Sequence, residues 1–182
     1  MKTASLILAL AFAASALNAQ TPPSGNPMVA ESRQAYNQIK TNLIAMAEKM
    51  PPEGYDFKPT PEMRTFGALM AHIADAQTRT CSAVNGAPKT PDAGSKTSKD
   101  DLVAAIKASF AECDAAWDGT TEANALSMIA AGRGGQRSRL SVLIGITIIH
   151  NNEEYGYGSP YLRLKSVVPP SSDRGSMGGK KQ

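Results

Sequence analysis

Apolar residues recur at intervals of three and four along most of this chain, and no segment alternates apolar and polar residues as a half-buried strand would. Tyr36, Ile39, Leu43, Met46 and Met50 keep this spacing. So do Phe66, Leu69, Met70 and Ile73, and again Leu102, Ile106, Phe110, Cys113 and Trp117. Such spacing lines side chains along one stripe of an α-helix, so each segment predicts an amphipathic helix. A fourth segment, Leu140 to Ile149, is almost wholly apolar and belongs at the centre of the molecule. Aromatic residues make up only 5% of the 182 residues, and Ala, Leu, Ile and Met supply most of the apolar content, which favours helices over a sheet sandwich. The fold expected is all-α, a single four-helix bundle.

Local signals place the ends of these helices. The first runs from about Val29 to Met50 and is stopped by Pro51 and Pro52. For the second, Thr60 offers an N-cap, Pro61 a first helical position and Glu62 a first-turn acid, and the helix continues to about Val84. Within it, His72 lies close to the line of Leu69 and Ala76 and should point inward. Residues 85 to 98 read as an exposed connection. Ser98 with Asp101 resembles a cap for the third helix, which "DGTTEAN" ends. "GRGGQR", 132 to 137, reads as a basic, flexible turn, and Ser138 can cap the fourth helix. Arg133, Arg137 and Arg139 beside it read as a solvated basic turn, with an anion site at the helix N-terminus as the alternative. Pro160 removes the hydrogen bond to Gly156 and should kink or end the fourth helix, leaving Tyr161 to Val168 as a docked segment.

The two ends read as something other than packed structure. Residues 1 to 19 carry Lys2, the apolar run Leu6 to Leu17 and small residues up to Ala19, the layout of a secretory signal peptide cleaved near Ala19 or Ala16. That run is too short to span a bilayer comfortably, which takes ~20 residues, so cleavage is expected, with an uncleaved anchor as the alternative, and no stable membrane insertion after cleavage. Residues 20 to 28 read as a linker, 29 to 171 as the bundle and 172 to 182 as a flexible tail. The expected destination is periplasmic or secreted. The net charge of +3 is scattered rather than gathered into a stripe, so no nucleic-acid partner is expected. Bundles of this kind commonly dimerise, but no patch in the sequence marks a homodimer interface.

In an exported protein, the two cysteines Cys81 and Cys113 form a candidate disulfide, with two buried thiols as the alternative. Topology decides whether they can meet. The connection of ~14 residues after the second helix can span up to about 46 Å, whereas a helix of ~19 residues is about 28 Å long. The chain can therefore cross the whole bundle there. Helices 2 and 3 would then run parallel, with Cys81 and Cys113 at a similar level. In an antiparallel hairpin the two levels would differ by roughly 20 Å, far beyond disulfide reach.

His150 and Glu154 are four residues apart, so they share one face of the fourth helix and can converge on one ion. His72 supplies a third donor from another helix. Two imidazoles and a carboxylate suit zinc, nickel or iron and leave coordination positions open for water or substrate. The alternative is a buried polar network without metal. The pattern is not HExxH, so it carries no metalloprotease assignment. Asn151, Asn152 and Glu153 are expected at the sides or in solvent, with Asn151 the one that can steady a ligand. Asp75 is expected to face water rather than His72. Tyr155 and Tyr157 either line a pocket or pack in the core.

"RTFGALMAHIADAQ" followed by "HNNEEYGYGSPYLRLKSVVPPSS" resembles the DinB-like proteins of the DinB/YfiT superfamily, over roughly residues 30 to 171. The resemblance implies a bundle of up-down-down-up topology. It also implies a divalent metal held by a histidine of helix 2, matching His72, and by an H-x3-H pair on the last helix. His150 matches the first of that pair, and Glu154 stands where the second histidine is usual. Characterised members include thiol-dependent transferases and isomerases in which the metal activates a low-molecular-weight thiol. The resemblance thus implies a metal-dependent thiol transferase acting on a small molecule; hydrolysis by metal-activated water is a second enzymatic possibility, and a non-catalytic binding or interaction bundle is the alternative to both. No nucleophile or general base can be singled out.

Overall fold

The computed structural model describes residues 27–131 and 135–173. The segments read as signal peptide and tail lie almost wholly outside the described residues. Four long helices carry the fold: α1 (Met28–Lys49), α2 (Phe66–Val84), α3 (Lys99–Asp118), and α4, which runs without a break through Arg139–Leu143, Ile144–His150 and Asn151–Leu164. Helix α1 packs on α3 and α4, and so does α2. The stripes read from the sequence meet in one core, where Tyr36, Leu43, Met46, Phe66, Ile73, Ile106, Phe110 and Trp117 are all buried. Tyr36 stacks on Trp117 with ring centroids 5.7 Å apart and hydrogen-bonds Asp114 at 2.7 Å, which joins α1 to α3.

Helix α2 starts later than the sequence suggests. Residues around Thr60 form only a turn, and Thr65 is the cap, its hydroxyl accepting from Ala68 N at 3.1 Å. The reason lies in the preceding stretch, whose carbonyls satisfy the first N–H groups of the helix. Phe66 N donates to Phe57 O at 2.9 Å and Gly67 N to Tyr55 O at 2.8 Å. Ser98 caps α3 through Asp101 N at 3.1 Å, and Ser138 caps α4 through Ser141 N at 3.3 Å, both as expected.

Three further features correct the reading. The fold is not purely helical, because β1 (Met128–Ala131) pairs antiparallel with β2 (Gly135–Ser138), which takes up residues 135–137 of the expected turn, with Ile129 opposite Arg137; the rest of that turn, Arg133 included, lies outside the described residues. Helix α4 is not buried all round: Thr147 is fully buried, but Ile149 is 63% exposed. Pro160 does not end it either, since the helix runs on to Leu164. Both Pro160 and Gly156 lie on the exposed face, so the carbonyl that the proline leaves without an N–H is open to water.

Cys81 and Cys113 form a disulfide with Cα atoms 4.9 Å apart. Beside it, Arg139 reaches the last carbonyls of two helices, donating to Val84 O at 2.9 Å and Ala116 O at 3.1 Å, and to Thr120 Oγ1 at 2.7 Å. Arg139 is therefore half-buried and engaged with these acceptors rather than a freely solvated or anion-holding residue. It satisfies helix C-termini with a cation, the favoured sign there. Near the other ends, Gly67 lies against Leu102. No helix among the described residues is long and apolar enough to cross a membrane.

Candidate metal centre

His72 stands in the second turn of α2, a helix whose start is fixed by Thr65, Tyr55 and Phe57. His150 closes a π-helical stretch, Ile144–His150, and Glu154 follows it by four residues in regular α-helix. Side chains hold this change of winding. Thr147 accepts from Trp117 Nε1 at 3.1 Å and donates to Leu143 O at 2.7 Å, while Asn151 donates to Thr147 O at 3.0 Å and Asn152 to Ile148 O at 2.8 Å. Bonds from side chain to local backbone compete with the regular helical ladder, and π turns recur at functional sites.

The structure brings His72, His150 and Glu154 together. The two Nε2 atoms are 3.2 Å apart, and Glu154 Oε1 is 3.4 Å from His72 Nε2 and 3.5 Å from His150 Nε2. A tetrahedral ion with bonds of ~2.0–2.1 Å holds its ligands ~3.3–3.4 Å apart. The three atoms already stand at that separation. Glu154 is the closed floor of the site with a side chain 6% exposed, and the imidazoles form its open rim.

The donor chemistry also fits a cation. Glu154 Oε2 and His150 Nδ1 are buried without a hydrogen-bond partner among the described residues, and a buried carboxylate lacking donors is costly unless a positive charge faces it. Burial pushes the His72 imidazole below its ordinary pKa. Arg64 and His150 push the same way, against Glu154 and Asp75. The neutral ring, with a free lone pair, is the form that ligates metal.

Neighbouring residues sort differently from expectation. Asp75 faces neither water alone nor His72: its carboxylate accepts from Ala93 N at 2.8 Å and Gly94 N at 3.0 Å, pinning the α2–α3 connection. Asn151 is fully buried and bonded to its own helix, whereas Asn152 and Glu153 are exposed as expected. Tyr155 packs in the core and hydrogen-bonds Ser171, and Tyr157 is exposed on Glu153. A cavity of about 470 Å³ opens at His150, lined also by Arg79, Arg137 and Gly145. Sequence reading passed over Arg79 and Gly145. A lone glycine inside an apolar helical run was the available signal for the latter.

Fold and site together define a helical protein with a His/His/carboxylate cluster held between α2 and α4. The DinB superfamily model matches residues 35–157, and the chain belongs to that superfamily. Among solved structures it is similar to a DinB-like protein from Bacillus cereus ATCC 10987, with 17% identity and a TM-score of 0.67 over 78% of this chain and 95% of the other, a likeness of fold. No curated protein matches it.

Proposed function

We propose that His72, His150 and Glu154 hold a divalent cation, zinc, nickel or iron, and that the protein is an exported metal-dependent enzyme acting on a small molecule by thiol transfer or hydrolysis. The observation that carries this is the triangle of ligand atoms with edges of 3.2, 3.4 and 3.5 Å. Membership of a superfamily that commonly binds metal supports it. Two histidines and one glutamate are also a ligand set of catalytic zinc centres. When bound, such an ion supplies Lewis acidity that makes a thiol or water more acidic. The protein's part is to keep His72 neutral, to bury Glu154 beneath the ion and to leave the rim open toward the cavity at His150. We infer also an up-down-down-up order with α2 and α3 parallel. The disulfide near both C-termini and the contact of Gly67 with Leu102 near both N-termini support it.

A second reading has one observation in its favour. The Nε2–Nε2 distance of 3.2 Å is also that of a hydrogen bond between a protonated and an unprotonated ring nitrogen. In that case the cluster is a polar network in a non-catalytic bundle. Metal analysis of protein purified without a histidine tag separates the two, together with melting temperatures on adding Zn²⁺ or Ni²⁺. The metal reading expects retained metal and a shift in wild type that is lost in His72→Ala. Less than about a tenth of an equivalent retained, with equal shifts in both proteins, rejects it.

A further inference from the structure

The cavity at His150 is lined by two arginines, and the acid at its edge is Glu154, 3.5 Å from His150 Nε2. Arg79 reaches it from α2 and Arg137 from β2, and none of the described residues lining it is acidic. Among the described residues neither guanidinium is paired with a carboxylate. Arg33, by contrast, pairs with Asp118 and Arg139 is spent on helix-end carbonyls; Arg64 and Arg163 also lack a carboxylate partner among the described residues, but neither lines this cavity. Arg137 is steadied by Ser141 Oγ at 2.8 Å.

Gly145 keeps this space open. A Cβ there would meet only Arg137 Nη1, at 3.9 Å, so the glycine is not required by packing. It stands five residues before His150 in the π-helical stretch, where five residues make one hydrogen-bonded turn, and both residues line the same cavity. Ala83, Val84, Val142 and Ile146 supply an apolar wall. A concave, largely apolar space of about 470 Å³ with a few convergent polar groups has the size and character of a small-molecule site.

We propose that this cavity binds a small anionic molecule, with Arg79 and Arg137 pairing its carboxylate or phosphate groups and its other end turned toward His150. Guanidinium forks match both groups and hold them by paired, charge-assisted hydrogen bonds. The orientation toward His150 rests on the metal reading, but the anion site does not.

Calorimetric titration of the protein as exported, chelator-treated or supplied with Zn²⁺, tests the proposal with succinate, inorganic phosphate and uncharged succinamide as probes. At least one of the two anions should bind, and succinamide should not. The stronger anion tells carboxylate from phosphate ligands. Arg79→Gln with Arg137→Gln should weaken anion binding by about tenfold or more, the worth of one charge-assisted contact. Gly145→Leu should weaken it similarly while melting no lower than wild type, since it removes a helix glycine. Anion binding absent from both forms of wild type, or equal in wild type and both variants, overturns the proposal. The outcomes remain distinguishable from failure of the metal reading. That failure shows as lost zinc retention with arginine-dependent anion binding intact, whereas failure here leaves zinc retention unchanged in wild type and in the arginine variant.

Discussion

His72 Nε2 on α2 and His150 Nε2 on α4 lie 3.2 Å apart, with Glu154 Oε1 within 3.5 Å of both. Two imidazole lone pairs cannot face each other at this distance without a proton or a cation between them. Glu154→Gln tells these cases apart by sign. In chelator-treated protein it removes a buried charge that has an unpartnered oxygen, so the melting temperature should stay level or rise. In zinc-loaded protein the same change removes a ligand, and zinc affinity should fall by about tenfold or more. Calorimetry with and without zinc reads both effects.

What the chain reveals by itself follows the range of the interaction concerned. The stripes through Leu43, Ile73 and Phe110 and the caps at Ser98 and Ser138 depend on neighbours within a few residues, and all are legible. So is the pairing of His150 with Glu154, because helical spacing sets it. The start of α2 is not, because Phe57 and Tyr55 choose Thr65 over Thr60 from across a turn. The π-helical stretch is hidden for a similar reason, since Trp117 on α3 holds Thr147 within it. Pro160 reads as a kink or an end, and its place on the exposed face explains why the helix runs on through it. The hairpin escaped because its strands are four residues each and neither alternates.

The disulfide closes a loop with a sequence separation of 32. Chain entropy alone makes such a cross-link worth about 3–4 kcal/mol. Cys81→Ala with Cys113→Ala should therefore lower unfolding free energy by about that amount in urea denaturation. Reductant should lower wild type toward the double variant and leave the variant unmoved.

Arg139 carries three hydrogen bonds to groups at the ends of α2 and α3. Arg139→Ala leaves the Val84 and Ala116 carbonyls without these donors and should cost about 2–3 kcal/mol. Arg139→Lys should recover only part of this, because an ammonium group keeps the charge but not the planar fork that spans the acceptors. Equal melting temperatures for the lysine variant and wild type would show that charge alone suffices.

Glu112 gives the fold an acid-side dependence. Its carboxyl accepts from Lys89 and from Asn85 Nδ2, and these hydrogen bonds, Lys89 first, hold it below its ordinary value of 4.5. With the folded-state pKa depressed, the unfolded chain takes up the proton first as pH falls, so stability decreases in that direction. The contribution is whole above pH 4.5 and is lost as pH falls through the folded-state value. Glu112→Gln should therefore cost stability at neutral pH, by only about 0.5 kcal/mol because Lys89 is exposed. The gap between variant and wild type should close in strong acid. Denaturation curves collected across the acid range should show the two stabilities converging, and a gap constant with pH would assign the contact to packing rather than charge.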